Sequence, residues 1–536
     1  MFNYDQSYSC IRQPVFARNV VATSHPLAAQ AGLRVLHQGG NAVDAAVAAA
    51  AALTVCEPVS NGLGSDAFCI LWDGKSLHGL NAAGRAPMGW KPGYFQSKYP
   101  HATTMPQRGI DSVTVPGAVS AWVQLNKRFG ALPLGDTLQP AIELAEKGFA
   151  VPVVVQRKWA AGAQLLGSQP GFAKAFMPRG RAPEVGEVFR FPALAHGLKR
   201  IAGSRGVAFY GGEIAHAIER FAREQGGAIR ASDFERYQPE WVQPLSINYR
   251  GYQVHEIGPS THGIAALMAL SILHYFDLAR LGADSVSAQH VQIEAIKLAM
   301  ADVYRYVGEE SWMKVQPAQL LDEAYLKSRT RKIRMNRAQA HPAGEPPKGG
   351  TVYVAAADAS GMMVSFIQSN FMGFGSGCVE PEFGVSLQNR GHSFSLAEGP
   401  NQVAPGKRPF HTIIPAFLSK DGQPQMAFGV MGAHLQPQAH VQALVRMLDF
   451  KQNPQAACDA PRWCSSGGLD VSVEKTMDAT LVQGLREKGH NIIPLPEHQD
   501  FGAGQFIWRL PPGEGEKTGC YVAASDSRRD GTVAGW

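Results

Sequence analysis

The chain is expected to fold as an α/β (α+β) protein, with helices prevailing before Thr351 and strands after it. Three observations carry that expectation. From Ala22 to Cys56, helix signals alternate with glycine punctuation. From Val352, a β-branched and small-apolar run, a turn at 358–361 and a second apolar run to Ser369 form a hairpin signal. Beyond that hairpin, short strands and glycine-rich loops replace the helical pattern.

In chain order, Ser24 and Pro26 can start a helix running to about Gln38, and Gly39-Gly40 ends it. Asn41 then caps a second, alanine-rich helix over 42–54. Pro58 to Ser65 is a glycine-rich loop before a short strand, 67–72. It lacks the spacing of a phosphate cradle and reads as close backbone packing. Ser112 to Gly117 reads as a strand and 118–129 as a helix; 137–146 and 192–202 are further helices. An apolar helix is expected within 259–281, and an amphipathic one over 288–307 with Glu294, Lys297 and Asp302 on its polar side. After the hairpin, 384–394 and 425–432 read as strands, and a helix runs from about Pro437 to Asp449.

At 536 residues the chain is long enough for about two to four domains, or for one large fused unit. The 45% hydrophobic and 18% charged content is that of a globular protein, and +6 is a mild charge for this length. No Lys/Arg block or aromatic-basic interleaving points to nucleic acid. Met1 to Val15 has neither a basic nor an apolar region, which argues against a secretory signal. The apolar stretch 45–56 is too short for a membrane span. Seven cysteines without a C-x-x-C read as reduced thiols, so a cytoplasmic location is expected, with no membrane and no nucleic-acid partner. The histidines show no metal-ligand spacing, and neither metal nor cofactor is expected.

The stretch before the hairpin carries the chemistry. Asn336 to Pro347 is polar and rich in Ala and Pro, and reads as a mobile linker. It runs into Lys348-Gly349-Gly350-Thr351 at the start of a strand. One reading is a loop before an ordinary strand. The other is a cleavage point between Gly350 and Thr351, leaving a threonine whose own α-amine can act as base. A turn centred near Ser360 puts Thr351 about opposite Gln368 or Ser369, within reach of the Ser369 hydroxyl. Arg85, in a small-residue context before a proline, presents a fork suited to a carboxylate, or is a plain surface arginine. The strand ending at Gly432-Ala433 before a helix has the form of an oxyanion hole and of many strand–helix junctions.

Several stretches together resemble the γ-glutamyltransferase family of N-terminal-nucleophile hydrolases. They are GGNAVDAAVAAAAAL near Gly39, AAGRAP around Arg85, SVTVPGAVSAW from Ser112 and HVQIEAIKLAMADVYRYVG from His290. GGT at Thr351, FGSG from Phe374, PGKRP from Pro405 and DSRRDGTVAGW at the end continue the series. The resemblance covers nearly the whole chain and places it near a cytoplasmic branch that includes oxamate amidohydrolase.

The resemblance implies a four-layer αββα sandwich and a precursor that cuts itself into two intertwined subunits. These are 1–350, with a mobile tail over about 336–350, and 351–536, forming one fused unit; a homodimer of the processed unit is compatible with it. It implies Thr351 as nucleophile, Ser369 as its hydroxyl partner, Gly432 and Ala433 as the oxyanion hole, and Arg85 as the holder of the substrate carboxylate. Where γ-glutamyl enzymes carry an Asp for the donor's α-ammonium group, this chain has Ser393. His411 and Thr412 replace a Ser-Ser pair, Asn370 stands one place from an expected Asn, and Arg390 adds a donor. The implied substrate is a small anionic acyl amide without an α-ammonium group, such as oxamate. A γ-glutamyltransferase or glutathione hydrolase and an uncut, non-catalytic binding relative are the alternatives.

Overall fold

The computed structural model describes residues 12–341, 350–496, 501–513 and 519–536. Its centre is a pair of seven-stranded sheets. One runs in the order 532–535, 20–23, 350–357, 363–371, 66–72, 77–82, 240–242, and the other 15–17, 521–525, 503–509, 423–431, 416–420, 252–256, 245–249. Every neighbouring pair in both is antiparallel. Each sheet takes strands from both sides of the Gly350–Thr351 bond, so neither fragment holds a complete sheet.

Strand periodicity explains the layering. Along Gly350–Ala357, Val352, Val354 and Ala356 join the core under the helices Pro26–His37 and Ala42–Cys56. The alternate residues Tyr353, Ala355 and Ala357 join Phe417, Ala427 and Ile507 of the other sheet. Successive side chains of a strand point to opposite faces, and an apolar residue at every position requires cover on both. The second sheet is covered on its far side by Ile264–Leu273, Val286–Tyr306 and Gln436–Leu448. The result is the expected αββα order.

The alanine-rich helix has Asn41 as cap, in a reciprocal pair with Asp44, and all its residues are buried. The first helix is capped by His25, whose Nδ1 accepts from Leu27 N (3.2 Å). Ser24, the expected cap, instead donates to Glu57 (2.5 Å). The loop 58–65 is packed as expected: a Cβ on Gly64 would lie 2.3 Å from the Ser386 carbonyl.

Four expectations are corrected. Residues 113–117 form no strand, although Val115 N donates to the Arg85 carbonyl and Gly117 N to the Ser65 carbonyl, each at 3.0 Å, and 384–394 has only a two-residue strand, Val385–Ser386, before a 3-10 turn at Arg390–Ser393. Glu294, Lys297 and Asp302 are buried, the first two under 334–341 and the turn at His490 and Asp302 beneath Tyr325 and Arg329. The expected mobile tail starts out tethered: Ala338 N donates to Lys488 O (2.6 Å). Residues 342–349 lie outside the described ones. None of the six described cysteines is in a disulfide, and no helix among the described residues is long and apolar enough to cross a membrane.

Two histidines, buried His25 and half-buried His255, make stability depend on pH. Burial pulls His25 and His255 down to about 4, and His25 Nε2 and His255 Nδ1 have no partner. Both are neutral in the fold, whereas the unfolded chain takes up protons near 6.5. The unfolded state therefore binds more protons below that pH, and stability falls as pH falls. Melting at pH 7 and pH 5 is expected to differ by about 2 kcal/mol per histidine. His255→Gln should remove part of that slope.

Candidate active site

The hairpin brings the predicted pair together. Gly350 pairs with Phe371 and Val352 with Gln368, and a bulge between them turns Thr351 toward Ser369. Thr351 Oγ donates to Ser369 Oγ at 3.2 Å, and both residues are buried. Ser369 Oγ donates to the Gly350 carbonyl at 2.8 Å, and accepts from Phe371 N at 2.8 Å.

Arg390 lies beneath this pair and is fully buried. Its Nη2 donates to Ser369 Oγ (3.3 Å), its Nη1 to Thr412 Oγ (2.9 Å), and its guanidinium lies 4.2 Å from the centre of the Phe371 ring. Burial pulls its pKa down to about 9, and the Asp66 carboxylate opposes that shift. Asp66 sits on the neighbouring strand in register with Ser369. It accepts from Gly84 N (2.9 Å) and Gly117 N (3.2 Å), and its other oxygen lies 3.1 Å from His411 Nε2. Burial raises Asp66 to about 7 against the pull of Arg390.

A cavity of about 500 Å³ opens beside Gly350. Its far edge is the turn Gly432–Ala433, where the strand Gln423–Met431 breaks before the helix Gln436–Leu448. Gly432 has φ +141° and Ala433 φ +51°. A left-handed alanine costs about 1–2 kcal/mol, so packing holds this turn against local preference. Leu165, Leu166, Met372, Phe374, Leu435 and Phe501 give the cavity apolar walls. Arg108, Lys158 and Arg529 also line it, and no carboxylate does among the described residues. Arg108 donates Nη1 to the Gly373 carbonyl (2.8 Å) and to the Gly375 carbonyl, while its buried Nε has no partner. Part of its fork is unspent at the wall. Lys158 and Arg529 both act on buried Glu57, which accepts from Ser60 Oγ at 2.9 Å.

None of the six residues expected to hold substrate lines this cavity. Arg85 pairs with Glu309 (2.9 Å) and Glu240 (2.8 Å) and donates to the Gly406 carbonyl, so its fork is spent on carboxylates from distant segments. Asn370 is used up between Ser65 (2.8 Å) and Ser386 (3.2 Å). Arg390 and Thr412 face each other in the interior, and His411 is shut in with Asp66. Ser393 lies on the 3-10 turn, its Oγ buried without a partner. The replacement of an acid by Ser393 therefore has no bearing on this cavity. Sequence reading missed Arg108, for which no local pattern speaks. It also missed Asp66, whose signal was a carboxylate inside the apolar strand Asp66–Trp72; a buried charge there requires a partner.

One cluster has metal-ligand types: His290, Glu294 and His490 place ligand atoms within 4.8 Å of one another. Lys297 Nζ already lies 3.0 Å from Glu294 and 3.3 Å from His490 Nδ1. His290 Nε2 faces the Arg334 carbonyl (2.9 Å), so it carries the proton, and His290 Nδ1 accepts from His490 Nε2 (2.8 Å). Each ring nitrogen is engaged and an ammonium fills the place of a cation. The cluster ties the 334–341 segment down.

Comparison with known proteins gives the family of the whole chain. The family model for gamma-glutamyltranspeptidase fits residues 28–536. The glutathione hydrolase-like YwrD proenzyme of Bacillus subtilis is 35% identical, over 97% of this chain and 98% of its own length. The oxamate amidohydrolase proenzyme of Klebsiella pneumoniae is 32% identical, over 97% and 99%. The crystal structure of cephalosporin acylase from Bacillus halodurans superposes with a TM-score of 0.95 at 46% identity, covering 100% of this chain and 99% of the other. With hairpin, turn and cavity in the same chain, the conclusion is direct: this protein belongs to the gamma-glutamyltranspeptidase family.

Proposed function

We propose that this chain is a self-processing amidohydrolase that cuts its own Gly350–Thr351 bond and then cleaves the amide of an anionic acyl substrate lacking an α-ammonium group. The cavity carries the reading. It adjoins Gly350, holds a partly unspent arginine, Arg108, and has no carboxylate among its described lining residues to receive an ammonium. The relatives named proenzyme, acylase and oxamate amidohydrolase support both halves of it. Interleaved strands would keep the two fragments together after the cut.

In turnover the freed Thr351 amine takes the proton from Oγ, directly or through a water, and Oγ attacks the amide carbon. The Gly432 and Ala433 N–H groups receive the oxyanion, each worth about 3–4 kcal/mol. The leaving amine departs with the proton, and water hydrolyses the Thr351 ester. Oxamate is the smallest member of the substrate class. About 500 Å³ also accommodates a longer acyl chain or a bulky amine.

The test is a panel of oxamate, a glutaryl anilide and a γ-glutamyl anilide. The γ-glutamyl compound differs from the glutaryl one by the ammonium and is expected to be the poorer of the two by at least tenfold in kcat/KM. A γ-glutamyl anilide turned over far faster than both others would establish a γ-glutamyl hydrolase or transferase instead. Arg108→Ala is expected to raise KM for the glutaryl anilide by about 10–150-fold, the loss of one charge-assisted hydrogen bond of about 1.5–3 kcal/mol. Arg85→Ala should leave that KM within about threefold, because its lost contacts are ion pairs outside the cavity.

A further inference from the structure

The uncut chain poses a chemical problem that the processed enzyme does not. Before cleavage the Thr351 nitrogen is an amide without a basic lone pair, so the first cut cannot use it as base. The Gly350 carbonyl must be made more electrophilic by something else. Ser369 Oγ supplies the contact, donating to that carbonyl at 2.8 Å. Its own oxygen accepts a hydrogen bond from Arg390 Nη2 at 3.3 Å, which draws electron density from the hydroxyl and strengthens it as a donor.

We infer that Arg390 is a buried positioning residue for self-cleavage that polarises Ser369 against the Gly350 carbonyl, with the Asp66 carboxylate, in register with Ser369 on the neighbouring strand, as its buried counter-charge. The inference rests on the self-processing reading above. Geometry supports the links from Arg390 to Ser369 and from Ser369 to the Gly350 carbonyl. Arg390 has no solvent access, and among the described residues Asp66 is the carboxylate that opposes its loss of charge. The Thr412 hydroxyl fixes the other arm of its fork at 2.9 Å, and the Phe371 ring lies against its plane. Asp66 is held in turn by Gly84 N, Gly117 N and His411. A cation this deep is costly unless it is paired.

The step balances without another reagent. Thr351 Oγ bonds to the Gly350 carbon and the carbon–nitrogen bond of Thr351 breaks. The Oγ proton ends on the departing amine, and water then hydrolyses the ester. Ser369 touches the reacting oxygen; Arg390 and Asp66 act through it.

The experiment uses the full chain made by cell-free translation, with fragment appearance followed on denaturing gels and folding checked by thermal melting. Arg390→Gln and Asp66→Asn are expected to slow the cut at least tenfold in folded chain. Arg390→Lys should fall between them and wild type, because one ammonium cannot hold Thr412 and Ser369 as a fork does. The double variant should be no slower than Arg390→Gln alone. Hydroxylamine, which traps a formed ester, should not restore the rate of Arg390→Gln. Folded variants that cut within twofold of wild type would overturn the inference and leave the proposed function standing. A wild-type chain that never yields a fragment beginning at Thr351 would overturn both. If Arg390→Gln does not fold, Arg390→Lys decides: folded and cut at the wild-type rate, it removes the pair's role.

Discussion

Thr351→Ala is expected to run as one band of full length, where wild type is expected to give fragments of 350 and 186 residues. Alanine has no Oγ, so the acyl shift onto residue 351 has no acceptor. Amide hydrolysis should drop by about four to six orders of magnitude, the scale on which removal of a covalent nucleophile is felt. Thr351→Ser gives a sharper contrast. It keeps the hydroxyl and the later amine, so it should be cut, though more slowly, since the missing methyl frees the rotamer that now aims Oγ at Ser369. Fragments from the alanine variant would place the cut elsewhere and sink the nucleophile assignment. A single band from wild type would favour a binding protein.

Asp526→Ala should cost about 3–5 kcal/mol of stability, the toll of removing one partner from a buried ionic network. Asp526 is fully buried and meets Arg462 at 2.7 Å, Arg528 at 3.0 Å and Gly504 N at 2.8 Å. Glu474 binds Arg528 from the other side at 2.7 Å. These arginines hold the Asp526 carboxyl below the usual carboxylate range despite its burial. The sign follows: stability from a depressed carboxylate is present above its unfolded value near 3.9 and is lost as pH falls below it. The variant's deficit should therefore be large at pH 7 and shrink toward pH 3, in guanidinium midpoints or melting curves. A melting curve indistinguishable from wild type at pH 7 would contradict the network's role. Because the same segment includes Arg529, which lines the cavity, a destabilised variant should also lose turnover before it unfolds globally.

How much of this was legible in advance depended on the range of the interaction concerned. The Thr351–Ser369 contact was readable because a hairpin's register follows from its turn and its two-residue period. Both lie within a short stretch of chain. The helix 118–129 and the Asn41 cap were readable for the same reason. The polar side assigned to 288–307 was wrong because periodicity ranks faces by polarity alone. Here His490 and the 334–341 backbone arrive to satisfy Glu294 and Lys297.

The site followed the same division. The amino-acid order alone placed the Gly350–Thr351 bond at the start of a strand, the Ser369 hydroxyl beside Thr351, and the glycine break at 432, since each is a local backbone feature. It could not choose among arginines. Arg85 and Arg108 both stand in loops, and what separates them is the arrival of Glu240 and Glu309 at the first and an apolar cavity wall at the second. Nor could it bring Asp66 and Arg390 to the same serine, because they approach Ser369 from a neighbouring strand and from a 3-10 turn far apart in the chain. Local sequence sets which face a side chain points to; which charge waits for it there is set by the packing of distant segments.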